Sequence, residues 1–198
     1  REALTASANA REHYYDITLC ADQHGKFLAL DARVTVDAGA YSSYPFTACL
    51  EAAQVASILP GPYNFPAYHC QTWSVATNKC PILPYRGVAR AGVCYALEAM
   101  VDLLARQINR EPHEVRLENL ITPDQMPFDN IVQKHFDSGD YPECLKRAVA
   151  AIDVEAVRKR QVHGEPDGRL VGLGMGIFNE QAAHGTAVYS AWGIPMIP

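Results

Sequence analysis

One helical pattern, preceded by an arginine-bearing turn, limits the possible folds of this chain more than any other feature. The apolar residues recur at helical spacing, at Val93, Leu97, Met100, Leu104 and Ile108. Glu98, Asp102 and Arg106 follow one another at four-residue steps and form a separate polar stripe. The pattern predicts an amphipathic helix packed on a core. Pro112 limits its length, because proline disfavours helical geometry in the preceding residue.

The segment before this helix carries two arginines close to a glycine. Residues 84–90 spell Pro-Tyr-Arg-Gly-Val-Ala-Arg, and we call them the arginine turn. A helix N-terminus carries partial positive charge, so a cation there is unfavourable by roughly 0.3–1 kcal/mol when exposed. An anionic partner held by guanidinium and helix N–H groups accounts for Arg86 and Arg90. The alternative is that both pair with carboxylates elsewhere or extend into solvent.

The pattern of apolar residues along the rest of the chain mixes strands and helices. Strands are predicted at 14–19, 27–36, 68–76, 170–179 and 187–191. Helices are predicted at 47–59, at 93–108, directly after Pro112, and from Asp140, which forms a capping box with Glu143, through Val154 and Val157 to Arg158. A turn at 22–26 makes the first two strands a hairpin. The fold class is therefore α+β, with a mixed or antiparallel sheet, helices packed around it and the arginine turn at one end of the layers.

The charge balance excludes some classes of partner. The chain of 198 residues has 22 acidic residues against 17 Lys and Arg, for a formal net charge of −5. No basic face is indicated, and binding to a nucleic-acid backbone requires one. No apolar run reaches the roughly 18 to 20 residues that a membrane span needs. We expect a cytoplasmic protein with no nucleic-acid partner and no membrane span.

The cysteines do not form a recognisable metal site. The six lie far apart, at Cys20, Cys49, Cys70, Cys80, Cys94 and Cys144. Iron–sulfur and zinc sites usually have closely spaced ligands, and this chain has no C-x-x-C pair. We therefore expect no metal ligand among them, and most to be reduced and buried as small apolar residues.

Several motifs, in one order along the chain, resemble a known family. They are Thr77-Asn78, the arginine turn, and the stretches 115–120, 125–130 and 135–143. Together they resemble the molybdopterin-binding large subunit of the xanthine dehydrogenase and aldehyde oxidase family, most of all its bacterial members. The resemblance extends over all 198 residues and covers an interior part of such a subunit.

This resemblance implies a molybdenum hydroxylase. The expected reaction is oxidation of an aldehyde or an N-heteroaromatic compound, with water as the oxygen source. The expected cofactor is molybdopterin carrying molybdenum, in its cytosine dinucleotide form. Electrons are expected to leave through 2Fe–2S clusters to FAD on partner subunits. The remaining parts of the molybdenum subunit, including the catalytic glutamate and the main cofactor loops, are expected outside this chain.

The resemblance also assigns roles to single residues. Arg86 matches a family arginine beside the molybdenum pocket and is expected to be catalytic, by orienting substrate or stabilising negative charge. Val88 stands where purine-oxidising members have an aromatic wall, and Gln54 aligns with their second substrate-binding arginine, so purine is disfavoured. Gly87 stands where carbon monoxide dehydrogenases have a copper-binding cysteine, so carbon monoxide is disfavoured as well. His184 is expected to join Gln54 and Val88 in binding substrate.

Three residues of the turn are expected to contact the cofactor, namely Gly87, Ala89 and Arg90. We expect two parts of the chain: a molybdopterin-binding-type α+β domain at 1–162, and at 163–198 the start of a strand-rich segment that is cut at its C-terminus. The alternative to an enzyme fragment is a non-catalytic module of the same ancestry, or an α+β binding domain in which Arg86 and Arg90 make structural ion pairs.

Overall fold

A three-stranded sheet forms the centre of the structure. The computed structural model describes residues 1–43 and 48–181. The strands are β1 (His13–Ala21), β2 (Phe27–Gly39) and β3 (Tyr68–Ala76), in the order β1-β2-β3. β1 and β2 are antiparallel, whereas β2 and β3 are parallel. The sheet is therefore mixed, and the predicted α+β class is confirmed.

Six helices and a small second sheet complete the described chain. The helices are α1 (Glu2–Ala6), α2 (Cys49–Ile58), α3 (Arg90–Gln107), α4 (Pro112–Asn119), α5 (Tyr141–Ile152) and α6 (Val154–His163). A short 3-10 helix spans Pro123–Gln125, and β4 (Phe128–Asp129) pairs with β5 (His135–Phe136). None of the described helices is long and apolar enough to cross a membrane.

Local chemistry explains the hairpin of β1 and β2. The carboxylate of Asp22 accepts the backbone N–H groups of His24 at 2.8 Å and Lys26 at 2.9 Å, which fixes the predicted turn. The pairing register sets Asp16 opposite Arg33 and His13 opposite Val36. Because side chains alternate across a strand, this register directs one face of β1 toward α3 and leaves the other exposed.

The core lies between the sheet and helices α2 and α3. β2 contributes alternate buried residues, Leu30, Ala32, Val34 and Val36. Helix α2 connects β2 to the parallel strand β3, as a crossover between parallel strands requires. Four buried residues of α3 meet this core, namely Val93, Leu97, Val101 and Ala105.

A buried ion pair joins α3 to α4. Arg116 is 0% exposed, and its Nε donates to Oε2 of Glu98 at 2.8 Å. The hydroxyl of Tyr63 donates to the other oxygen of Glu98 at 2.7 Å. The polar stripe predicted for α3 therefore does not face solvent throughout, because Glu98 serves as the acceptor for a buried guanidinium. Such a pair can remain buried because hydrogen bonds satisfy both ions.

The predicted strand at 170–179 is wrong. These residues form no strand, and Met175 and Ile177 instead bond to side chains of α4 and α3. The N–H of Ile177 donates to Oε2 of Glu98 at 3.0 Å, and the carbonyl of Met175 accepts from Arg116 at 3.2 Å. Backbone groups that a strand would pair with a neighbouring strand are thus bonded to side chains. The predicted strand at 187–191 lies outside the described residues.

The predicted long helix from Asp140 is two helices. Asp140 caps α5, since its side chain accepts from the N–H of Glu143 at 2.9 Å, but no return bond from Glu143 completes the capping box. Asp153 then adopts φ +53 and caps α6 through a bond from the N–H of Ala156. This left-handed residue breaks the helical path, so Val154 begins a new helix that continues past Arg158.

The six cysteines form no disulfide among the described residues, and none is buried. Cys20, Cys49 and Cys144 are exposed, and Cys70, Cys80 and Cys94 are half-buried. The prediction of burial is wrong, and Cys70 is the cysteine that packs, partly buried, against the core. The predicted boundary at residue 162 stays a prediction. Helix α6 continues to His163, and the segment after it packs on α3 through Ile177.

Candidate site at the arginine turn

The connection from β3 to the arginine turn is fixed to the end of β2. The N–H of Thr77 donates to the carbonyl of Gly39, and that of Ile82 to the carbonyl of Ala38, each at 3.0 Å. Gly39 has φ +65, and a Cβ built on it would lie 2.1 Å from the carbonyl oxygen of Cys80. Only glycine fits here, because the two backbone segments are in direct contact.

A buried carboxylate reinforces this junction. Asp37 is buried and accepts the N–H of Gly39 at 2.7 Å and the hydroxyl of Thr77 at 2.8 Å. Lys79 contacts it at 2.8 Å and also pairs with Glu12. Burial raises the pKa of Asp37, but the hydrogen bonds from Lys79, Gly39 and Thr77 outweigh it and hold that pKa below its ordinary value. Asp37 is therefore an ionised anchor for the chain that leads into the site.

The turn itself contains two residues with left-handed backbone geometry. Gly87 has φ +72 and Ala89 has φ +61. The N–H of Arg90 donates to the carbonyl of Gly87 at 3.0 Å and closes the turn. Ala89 is 0% exposed and donates its N–H to Oε1 of Glu51, from α2, at 2.8 Å. Ala89 thus gives its only donor to the protein rather than to a ligand.

Arg11 holds the opposite side of the turn, and sequence reasoning missed it. Its Nη2 donates to the carbonyl of Arg86, and its guanidinium lies 5.5 Å from the centre of the Tyr85 ring. Its Nε is buried and has no partner among residues 1–43 and 48–181. Arg11 lies 75 positions before the residue that it contacts. No local pattern signals such a pairing.

The two arginines of the turn have different surroundings. Nε of Arg90 lies 2.6 Å from Oε1 of Glu180, and its Nη1 donates to the carbonyl of Val88 at 3.0 Å. Arg90 therefore makes an ion pair with another part of the described chain. Arg86 is exposed, and in the described part of the chain its guanidinium makes no hydrogen bond or ion pair. Arg86 is the cation that the turn leaves free for a ligand.

Backbone donors lie beside this free guanidinium. The N–H groups of Gly87 and Val88 make no hydrogen bond with any described residue, as is common at the start of a helix. A Cβ at Gly87 would meet only Nη2 of Arg11, at 3.6 Å, so the backbone is open to a neighbour. A guanidinium and two N–H groups together suit an anionic or electron-rich oxygen. The donor set therefore fits a phosphate-bearing cofactor or the oxygen of a substrate.

The other predicted substrate-binding residues lie in α2, within the turn and outside the described residues. Gln54 is half-buried in α2 and follows Glu51 by three positions, so both lie on one helix face. Val88 is half-buried within the turn. His184 lies outside the described residues. The ligand contacts of Gln54, Val88, Gly87, Ala89 and Arg90 stay predictions.

A cavity adjoins the first turn of α3. It has a volume of about 520 Å³ and lies between α3, the loop at 130–137 and the segment 177–181. Arg90, Cys94 and Lys134 are among its lining residues. Burial, followed by the nearby charge of Arg90, lowers the pKa of Lys134. The cavity therefore places a second cation close to the arginine turn.

Comparison with known proteins identifies the family. A model of the molybdopterin cofactor-binding domain matches residues 1–120. The large subunit of nicotine 6-hydroxylase from Paenarthrobacter nicotinovorans is 30% identical over 98% of this chain and 24% of that subunit. The carbon monoxide dehydrogenase large chain of Hydrogenophaga pseudoflava is 34% identical over 93% of this chain and 23% of its own length.

The fold agrees with the sequence match. The crystal structure of quinoline 2-oxidoreductase from Pseudomonas putida 86 superposes with a TM-score of 0.90 and 34% identity, over 98% of this chain and 25% of that one. The chain thus spans about a quarter of the length of these relatives. It belongs to the molybdopterin cofactor-binding domain family, in the form found in the large subunits of molybdenum hydroxylases.

Proposed function

We propose that this chain is the part of a molybdenum hydroxylase subunit that presents Arg86 to the substrate. The reaction is oxidation of an aldehyde or an N-heteroaromatic compound with water as the oxygen source. The observation that carries the proposal is the guanidinium of Arg86, which has no partner among the described residues, beside the N–H groups of Gly87 and Val88, which make no hydrogen bond there. By contrast, Arg90 of the turn and the neighbouring Arg11 both make contacts within the protein.

The proposed cofactor is molybdopterin in its cytosine dinucleotide form. When bound, it supplies the oxygen transfer and takes up the electrons from the substrate. The residues present fit such a group, because Gly87 and Val88 offer N–H donors at a position without side-chain bulk. We further propose that 2Fe–2S and FAD subunits receive the electrons, that the rest of the molybdenum subunit completes the site, and that the enzyme is cytoplasmic.

Arg86 has a defined task in this proposal. Its planar donor fork binds an electron-rich atom of the substrate and stabilises the negative charge that develops during oxidation. The turn fixes its backbone from two sides, through Arg11 at the carbonyl of Arg86 and Glu51 at the N–H of Ala89. A donor held in this way needs little reorganisation during the reaction. Loss of one such donor typically costs about 2.7–4 kcal/mol in barrier height.

The substrate class follows from three positions. Val88 provides no aromatic wall for a purine, Gln54 provides no second guanidinium, and Gly87 provides no thiol for copper. These residues disfavour purine and carbon monoxide. Two relatives, nicotine 6-hydroxylase and quinoline 2-oxidoreductase, are named for N-heteroaromatic compounds, which supports a substrate of this class. An aldehyde remains as the second substrate class to be tested.

The test is Arg86→Ala in the complete enzyme, with Arg86→Lys as a variant that keeps the charge but loses the planar fork. Turnover is measured with an aldehyde and with an N-heteroaromatic compound, per bound molybdenum. We expect kcat to fall by about 100- to 1,000-fold in Arg86→Ala, with molybdenum content retained. Arg147→Ala, which removes an exposed arginine of α5, is the matched control.

Two results would contradict the proposal. Normal turnover in Arg86→Ala would remove Arg86 from the reaction. A complete subunit purified from its natural host without molybdenum or pterin, under conditions in which a relative binds both, would favour a non-catalytic module of the same ancestry.

A further inference from the structure

We propose that Glu51 is a positioning residue for Arg86, and that a buried chain of Tyr15, His13 and Glu51 fixes the backbone of the arginine turn. The proposal rests on the proposed function, because it assigns Glu51 to the geometry of the same site. Glu51 contacts the turn at one atom, the N–H of Ala89. It therefore acts through Arg86 and not on the substrate.

The carboxylate of Glu51 lies at the N-terminus of α3, where it bonds directly to the backbone of the turn. The residue is 5% exposed, and its Oε1 accepts the N–H of Ala89 at 2.8 Å. This N–H lies at the N-terminus of α3, an 18-residue helix whose partial positive charge favours an anion. Ala89 also has φ +61, a backbone conformation that is unfavourable for any residue with a Cβ. The carboxylate thus holds the turn in a conformation that alanine does not adopt readily.

His13 and Tyr15 from β1 hold the carboxylate in place. Nε2 of His13 lies 3.1 Å from Oε1 of Glu51, and its Nδ1 lies 2.9 Å from the hydroxyl of Tyr15. The side chain of His13 is 3% exposed. Every group is satisfied when Tyr15 donates to Nδ1 and Nε2–H donates to Glu51. Burial, followed by the charge of Glu51, raises the pKa of Tyr15, so its hydroxyl remains a donor.

Gly92 in α3 leaves space for the hydrogen-bonded side chains of His13 and Tyr15. A Cβ built on Gly92 would lie 2.6 Å from Nδ1 of His13 and 3.1 Å from the hydroxyl of Tyr15. Glycine is unfavourable inside a helix relative to alanine, so local propensity does not explain its presence. The contact with His13 does explain it. Gly92 lies in the first turn of α3, next to the arginine turn whose geometry these hydrogen-bonded side chains fix.

The test uses Glu51→Gln in the complete enzyme. Glutamine keeps the size of the side chain, and its carbonyl oxygen can replace Oε1 as the acceptor for Ala89 and His13, but it removes the negative charge at the N-terminus of α3. Two quantities are measured: amide hydrogen exchange of residues 84–92, and kcat per bound molybdenum. We expect exchange in this peptide to rise, and kcat to fall with KM little changed, each by about tenfold, because hydrogen bonds to a neutral acceptor are weaker than those to a carboxylate.

Glu98→Gln is the matched control, since Glu98 is equally buried but bonds to Tyr63 and Arg116 and not to the turn. We expect it to lower overall stability and to leave both exchange at 84–92 and kcat per molybdenum unchanged. A Glu51→Gln enzyme with unchanged exchange, or with faster exchange and unchanged kcat, overturns the proposal.

A second variant keeps the proposal testable if Glu51→Gln does not fold. Gly92→Ala improves helix propensity, yet it should displace His13 and produce the same faster exchange and lower kcat. Unchanged values in Gly92→Ala also overturn the proposal. Arg86→Ala is measured in the same assay, since normal turnover there defeats the proposed function while the exchange data still decide whether Glu51 fixes the turn.

Discussion

Nε of Arg90 lies 2.6 Å from Oε1 of Glu180, so the first turn of α3 is bonded to the segment that follows α6. This pair neutralises one of the two arginines of the arginine turn. Arg86, four residues earlier, makes no such pair within the described ranges. The structure thereby separates a cation with a structural partner from a cation that is open to a ligand. The predictions below concern the contacts that maintain this separation.

The Arg90–Glu180 pair should contribute little to stability. The side chains are 16% and 41% exposed, and partly exposed ion pairs typically contribute 0.2 to about 1 kcal/mol. We expect the single variants Arg90→Ala and Glu180→Ala, combined in a double-mutant cycle, to give a coupling energy of about 0.5–1 kcal/mol by thermal denaturation of the complete subunit. A coupling energy of zero would mean that the two residues do not interact in solution.

Asp37 should make the protein sensitive to acid. Its pKa is held below the ordinary value of 3.8, so its ionised form stabilises the folded state. This contribution is fully present above the unfolded-state pKa. It is lost as the pH falls from about 4 through the lower folded-state pKa. We expect Asp37→Asn to unfold more easily at pH 7, by about 1–3 kcal/mol, and to lose less further stability on acidification. Denaturant titrations at several pH values measure both effects.

Asp16→Asn provides the comparison for this experiment. Asp16 is exposed on β1 and has no bonded partner among the described residues. Its replacement should leave the free energy of unfolding at pH 7 little changed. Equal acid sensitivity in the wild type and Asp37→Asn would contradict the assignment of Asp37 as an ionised anchor.

The Arg116–Glu98 pair should be among the most sensitive contacts in the fold. Arg116→Ala leaves the buried carboxylate of Glu98 without its cation, and it also removes the donor to the carbonyl of Met175. Breaking a buried pair on one side costs about 3–5 kcal/mol. We expect a loss of this size in chemical denaturation. A loss below about 1 kcal/mol, as for surface arginines, would indicate that water replaces the guanidinium.

Gly39→Ala should disturb both stability and the site. The new Cβ would lie 2.1 Å from the carbonyl oxygen of Cys80, and the residue would keep φ +65. Because backbone cannot move aside as a flexible side chain can, we expect a destabilisation of more than about 1 kcal/mol. The connection from Thr77 to the arginine turn should shift, and turnover should fall. Gly168→Ala, which has positive φ but no neighbour within 4 Å, separates backbone strain from the clash.

Features that depend on local pattern were predicted well. The apolar spacing of Val93, Leu97 and Leu104 located α3, and Pro112 located the start of α4. Alternation located β3 at Tyr68–Ala76. Predictions failed where distant contacts, and not the local sequence, decide whether a segment forms a strand. Glycines at alternate positions in 170–179 suggested a strand, but that segment bonds to Glu98 and Arg116.

The sequence by itself determined α2, α3 and α4, the hairpin, the α+β class and the arginine turn, because neighbouring residues fix turns, caps and amphipathic faces. Tertiary structure decided which arginine is free and how the turn is held. Glu51 reaches Ala89 across 38 positions, and Arg11 reaches the carbonyl of Arg86 across 75. Contacts of this kind depend on the register of β1 and β2 and on the packing of α2 against the sheet. A periodic pattern of apolar residues does not reveal such contacts, because each joins a single atom on one element to a single atom on another.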